Sequence, residues 1–146
     1  MNQNFRNFKK KFLIEELIIL ESNFWIVSLR PMQTTFGAMV ISLKRETNSL
    51  SDLTTEESKN FGEILLEISK VNKKYLKTNL SNIFQLMLID NYVHWHYFPR
   101  FKHDCNINKI YDPIGWPKML DNLNKTIIED DYSLSKIYKQ IKSYYE

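Results

Sequence analysis

His94 and His96 stand one residue apart in the string His94-Trp95-His96-Tyr97-Phe98-Pro99-Arg100, and such a pair does chemistry only if both rings face the same way. The string reads as a β-strand. Successive strand side chains point to opposite faces, so His94, His96, Phe98 and Arg100 share one surface while Val93, Trp95 and Tyr97 take the other. At about 3.3 Å of rise per residue the two histidines lie roughly 6.6 Å apart along the backbone, close enough to address one phosphate or one metal ion. Neutral imidazole is a good nucleophile near pH 7 and a good leaving group once phosphorylated, provided that a partner fixes its tautomer. The same spacing suits zinc if His103 or Asp90 completes the ligand set. Arg100, farther along the face, can add positive charge to the rim of either site.

Positioning such a strand requires a sheet and a covering layer, and both are legible. Residues 17–21 and 24–29 are apolar, β-branched or aromatic runs separated by Ser22-Asn23, which is hairpin chemistry. Residues 31–35 form a loop, and a third strand over 37–43 opens on Gly37, whose backbone can take conformations closed to other residues. Thr54 followed by Glu57 is a capping box. Phe61, Ile64, Leu65, Ile68, Val71, Asn72 and Tyr75 then recur at helical spacing, which predicts an amphipathic helix over about 55–76. The continuous apolar character of 83–89 predicts a buried strand, with Asp90-Asn91 as a two-residue turn into the histidine strand. Trp95, Tyr97 and Val93 are expected to be core residues under the long helix, leaving the histidines on a cleft. The ends at Arg30-Pro31 and Lys44-Arg45 are expected to be exposed.

Beyond 102 the pattern weakens into irregular chain marked by Pro113, Gly115 and Pro117. Ser133 then caps Leu134, Ile137, Tyr138 and Ile141, a short amphipathic helix that must pack back onto something apolar. At 146 residues the chain is one domain by default, with a core over about 15–104 and an extension over about 105–146. A net charge of +3 is compatible with an anionic ligand but is not gathered into the basic stripe of a nucleic-acid domain. The single cysteine, Cys105, excludes an intrachain disulfide and favours a reducing compartment. Glu15 and Glu16 break the apolar run after Lys9-Lys10-Lys11, so no signal peptide is expected, and no run approaches the roughly 20 apolar residues of a membrane span. The expectation is a cytoplasmic protein.

The string resembles the histidine triad (HIT) family of nucleotide hydrolases and transferases, whose signature is alternating histidines followed by two apolar residues and often Pro-Arg. Trp25-Ile26-Val27-Ser28-Leu29-Arg30-Pro31 looks like the family's second strand and residues 36–42 like its Gly-led third. Residues 50–75 look like its helix, and Trp116-Pro117 points to the bacterial diadenosine tetraphosphate hydrolase-like subgroup. The resemblance covers roughly residues 15–104. It implies an α+β fold with a five-stranded antiparallel sheet, one long helix and a C-terminal helical segment. It also implies a homodimer that pairs through the long helix and a neighbouring strand. By position, His94 would attack the α-phosphorus of a dinucleoside polyphosphate or adenylated compound to form a nucleotidyl-histidine, and His96 would bind phosphate oxygens or the leaving group. Ser28, Arg30, Asp90 and Arg100 are the substrate-binding candidates. No resident cofactor is implied, though a divalent metal can arrive with the nucleotide. The sequence departs from the family at three positions. Tyr92 stands for the first histidine, Ala38 for the histidine that follows the glycine of the third strand, and Ser28 for an Asp or Asn at the ribose. A nucleotide-binding module without turnover is therefore the alternative.

Overall fold

The computed structural model describes residues 2–78, 80–87, 89–101 and 133–146. The capping box forms as its spacing predicts. The Thr54 hydroxyl accepts from the Glu57 amide at 3.2 Å, and the Glu57 carboxylate accepts from the Thr54 amide at 2.8 Å, satisfying two donors that a helix start leaves open, a gain of about 1 kcal/mol. The long helix Thr55–Val71 follows and widens into a π-type turn over Asn72–Leu76, ended by Lys77 at φ 56°. Ile64 and Ile68 are buried on its apolar stripe. Asn72, the polar member of that stripe, donates to the Tyr97 hydroxyl at 3.2 Å.

Five strands make one antiparallel sheet: β1 (Ile18–Glu21), β2 (Trp25–Leu29), β3 (Met39–Leu43), β4 (Leu80–Phe84) and β5 (His94–Arg100), in the order β1-β2-β3-β5-β4. This is the α+β architecture expected. Ser22 closes the first hairpin through its amide to the Trp25 carbonyl at 2.9 Å. Gly37 precedes β3 at φ 76°, and a Cβ there would lie 3.3 Å from side-chain carbons of both Leu76 and Ile141. The fourth strand corrects the sequence expectation: it runs over Leu80–Phe84 rather than 83–89. Leu80 pairs with Arg100 and Phe84 with His96, after which the chain leaves the sheet, so Asp90-Asn91 is not a tight turn. Ile89, read as buried, is 87% exposed. The connection instead carries Asp90 to Lys11, 2.6 Å away, on an element the sequence reading did not anticipate.

That element is an N-terminal helix, Gln3–Lys11, here α1, which makes the long helix α2. Asn2 caps α1 by accepting from the Asn4 amide at 3.0 Å. Phe5 and Phe8 on the helix, and Phe12 just after it, are buried. With Ile14, Ile26, Val40 and Tyr92 they form a second apolar core on the histidine face of the sheet, so the buried apolar residues begin well ahead of residue 15. The opposite face carries the larger core: Trp25, Val27, Ile41 and Tyr97 pack with Ile64 and Ile68 of α2. The C-terminal helix α3 (Leu134–Lys142) lies there too, capped by Ser133 and burying Ile137 and Ile141 as expected. Tyr138 and Lys142 tie it to β1 through the carbonyls of Ile18 (3.1 Å) and Ile19 (3.0 Å). Cys105, His103 and Trp116-Pro117 lie outside the described residues. Among the described residues no helix is long and apolar enough to cross a membrane.

Candidate functional site

The alternation of β5 puts His94 and His96 on the face opposite α2, and the register sets them beside β3, with His94 across from Ser42 and His96 across from Val40. Nδ1 of His94 lies 2.7 Å from the Tyr92 carbonyl. A carbonyl only accepts, so the His94 proton sits on Nδ1 and Nε2 carries the lone pair. That Nε2 lies 3.2 Å from Nε2 of His96. With one lone pair between them, His96 supplies the proton from Nε2, and its own Nδ1 is left as a buried acceptor with no partner among the described residues. The fixed tautomer thus comes from backbone geometry, and the pair is chained donor to acceptor.

Both rings are neutral near pH 7. Burial pushes His96 down to about 3, and the neighbouring His94, Arg30 and Lys11 push in the same direction. Burial also lowers His94, with a smaller contribution from Lys11, against the opposing pull of the Tyr92 carbonyl and the Asp90 charge. An unprotonated Nε2 on His94 is the state a phosphorus nucleophile needs.

The substrate-binding candidates do not all sit as the sequence suggested. Ser28 is on the histidine face, across β3 from His96, but it is fully buried and its hydroxyl donates to the Ile14 carbonyl at 2.5 Å. Arg30, expected at an exposed strand end, is 3% exposed. Its Nη1 donates to the Met32 carbonyl (2.8 Å) and the Thr34 hydroxyl (3.1 Å), and its guanidinium stands 5.5 Å from the Phe98 ring centre. Gln33 causes this. Its amide nitrogen donates to the carbonyls of Arg30 (2.6 Å) and Ala38 (3.0 Å) while its oxygen accepts from the Gly37 amide (2.8 Å), which folds the loop inward over the sheet. Burial holds Arg30 down to about 10, so it remains a cation near His96. Arg100 is also nearly buried and donates to Asn82 of β4 at 2.5 Å. Asp90 is engaged with Lys11. Arg45 is exposed, as expected, and donates to the Glu57 carboxylate at 2.6 and 2.9 Å.

The larger correction concerns the cleft. His94 is 0% and His96 5% exposed, because α1 packs its rings on them: Phe8 is 4.9 Å from His94, and Phe12 is 5.7 Å from His94 and 5.3 Å from His96. Phe8 and Phe12 were missed, although Phe5, Phe8 and Phe12 repeat at i, i+3 and i+7, the spacing of one helix face. An open polar cleft of about 490 Å³, lined by Asn2, Asn4, Glu46, Asn91 and Tyr92 among others, reaches the Tyr92 end of this patch. Of the metal reading, no group of three or more His, Cys, Asp or Glu suited to a metal ion occurs among the described residues. What the described residues bring together is a neutral nucleophile, a hydrogen-bond donor and a buried cation on one face, a set matched to a phosphoryl group.

No protein-family model matches the chain, and no curated protein does. Solved structures do. A histidine triad protein from Bradyrhizobium japonicum is 13% identical with a TM-score of 0.67, covering 100% of this chain and 97% of its own. One from Marinobacter aquaeolei VT8 is 12% identical with a TM-score of 0.66, covering 92% of each. The diadenosine triphosphate hydrolase of Plasmodium falciparum is 14% identical with a TM-score of 0.54, covering 90% of this chain and 100% of its own. At such identities the likeness shows the fold, which is that of the histidine triad proteins.

Proposed function

We propose that the protein is a HIT-type nucleotide hydrolase or nucleotidyl transferase that cleaves at the α-phosphate of a dinucleoside polyphosphate or a related adenylated compound. His94 Nε2 attacks the α-phosphorus, a P–N bond forms, and the bond to the leaving polyphosphate oxygen breaks. Water then attacks the same phosphorus, the P–N bond breaks, and nucleoside monophosphate leaves as the imidazole is restored. His96 Nε2–H and Arg30 are the groups suited to hold the phosphoryl oxygens as charge develops on them.

The observation that carries this reading is the 2.7 Å contact between His94 Nδ1 and the Tyr92 carbonyl. It sets the nucleophile's tautomer through main chain alone, so the tyrosine at the first triad position removes none of it. The histidine triad fold agrees, and among the similar structures is a diadenosine triphosphate hydrolase, which supports a dinucleoside polyphosphate as the substrate class. One observation favours a second reading, a binding module without turnover: the rings of Phe8 and Phe12 cover both histidines.

Incubation of the purified protein with diadenosine triphosphate, diadenosine tetraphosphate and adenosine phosphoramidate separates the two. We expect AMP release that His94→Ala abolishes, with acid-labile phosphorus on His94 trapped by rapid quenching. Binding of these compounds with no AMP release would establish the second reading instead.

A further inference from the structure

The helix over the histidines is held mainly by the apolar contacts of Phe5, Phe8 and Phe12. Where α1 meets the reactive rings the contact is aromatic, through Phe8 and Phe12. Its polar ties to the domain at either end are exposed: the Asn2 amide to the Glu46 carboxylate at 3.2 Å and Lys11 to Asp90 at 2.6 Å. An exposed hydrogen bond and an exposed ion pair of this kind hold weakly.

The join between helix and sheet is built differently. Leu13 stands at φ 50°, a left-handed backbone that a side chain with a Cβ adopts only under strain. The next residue, Ile14, is fully buried and its carbonyl is clamped by the Ser28 hydroxyl. The chain is thus fixed at Ile14, and a swing of α1 at Leu13 would release that residue from its left-handed backbone at the cost of the two bonds that cap the helix, the Leu13 amide to the Lys10 carbonyl (3.2 Å) and the Ile14 amide to the Lys9 carbonyl (3.0 Å). At the other end of α1 the polar cleft beside Asn2, Asn4 and Tyr92 already brings solvent to the edge of the covered patch.

We propose that α1 is a hinged, self-inhibiting cover, pivoting at Leu13, which must lift from the sheet before any ligand reaches His94 and His96. This rests on the reading that the two histidines take a ligand. With His94 fully buried and both rings under Phe8 or Phe12, the closed form has no place for a phosphoryl group beside Nε2. The cover also carries the means of its own release. Residues 3–11 hold Arg6, Lys9, Lys10 and Lys11 and no acidic residue. A polyphosphate therefore draws the cover toward itself, and it competes with Asp90 for Lys11.

The test is the rate at which diethyl pyrocarbonate acylates His94 and His96 in the full chain, mapped by peptide mass spectrometry, with hydrogen exchange of α1 and β3 amides followed in parallel. Lys11→Glu removes the tie to Asp90 and should speed acylation and α1 exchange together by about fivefold, the loss of one exposed ion pair. Leu13→Gly relieves the strain that the closed form holds and should slow both. In each variant β3 exchange should stay at the wild-type rate, which marks opening without unfolding. Sodium tripolyphosphate should raise α1 exchange in the wild type and not in Lys11→Glu. Acylation that keeps pace with β3 exchange, or that runs at the rate of a free imidazole in the wild type, would overturn the proposal. The nucleotide reading fails separately, if an opened variant with reactive histidines releases no AMP from diadenosine triphosphate.

Discussion

The depressed basicity of His96 has a measurable consequence for the whole chain. A histidine with a folded pKa of about 3 and an ordinary value of 6.5 takes up its proton first in the unfolded chain. Stability is therefore fully present above 6.5 and falls as pH drops from 6.5 toward 3, by about 1.4 kcal/mol for each unit crossed. Melting curves should show His96→Asn losing less between pH 7 and pH 4.5 than the wild type does. Parallel losses in the two proteins would mean that His96 is not held neutral by burial. The side of the strand on which His94 and His96 sit follows from a period of two and was readable in the sequence. Arg30 was not, because its burial depends on Gln33 closing a loop through three main-chain groups, a tertiary event with no local pattern. The function of Tyr92 was hidden for a different reason. It acts through its carbonyl, and a carbonyl has no residue type.

At the scale of elements, the parts that could be read were those in which local rules and burial agree. The capping box and apolar stripe of α2 gave both its start and its exposed face, and Ser133 gave the start of α3. The fourth strand was misplaced because an apolar run was equated with burial, whereas β4 is an edge strand whose residues are mostly half-buried or exposed. The helix α1 was missed because Lys9-Lys10-Lys11 and the apolar run after them were weighed only against a signal peptide, and the spacing of Phe5, Phe8 and Phe12 was not read as a helical face. Its truncation is informative: Phe12→Ala should cost about 3–5 kcal/mol in urea unfolding, as buried aromatic truncations do, while leaving the α2 side of the sheet intact. Gly37→Ala tests the join between β3, α2 and α3. The new Cβ must fit at φ 76° and 3.3 Å from Leu76 and Ile141, so a loss of about 1–3 kcal/mol is expected, and an unchanged unfolding midpoint would show that the loop yields instead.

Among the described residues both faces of the sheet are covered, by α1 on one side and by α2 with α3 on the other, and apolar side chains of the sheet itself meet water at an edge. β4 is that edge: among the described residues it pairs with β5 alone, and Leu80 is 59% and Ile83 38% exposed on it. On α2 and its last turn, Leu66 is 64% and Tyr75 42% exposed. An edge strand bearing apolar side chains invites another strand, and natural sheets protect such edges with charge, proline or a partner. Leu80-Ser81-Asn82-Ile83-Phe84 offers neither charge nor proline. A second copy pairing β4 to β4 would add main-chain hydrogen bonds between the two strands and cover Leu80 and Ile83 in one symmetric contact, as isologous dimers do. We therefore expect light scattering at micromolar concentration to give about twice the 17.6 kDa of the chain. The double substitution Leu80→Lys and Ile83→Lys should return it to the single-chain mass with its circular dichroism unchanged, because neither side chain is in the buried cores. A wild-type protein at the single-chain mass would mean that the edge is covered some other way.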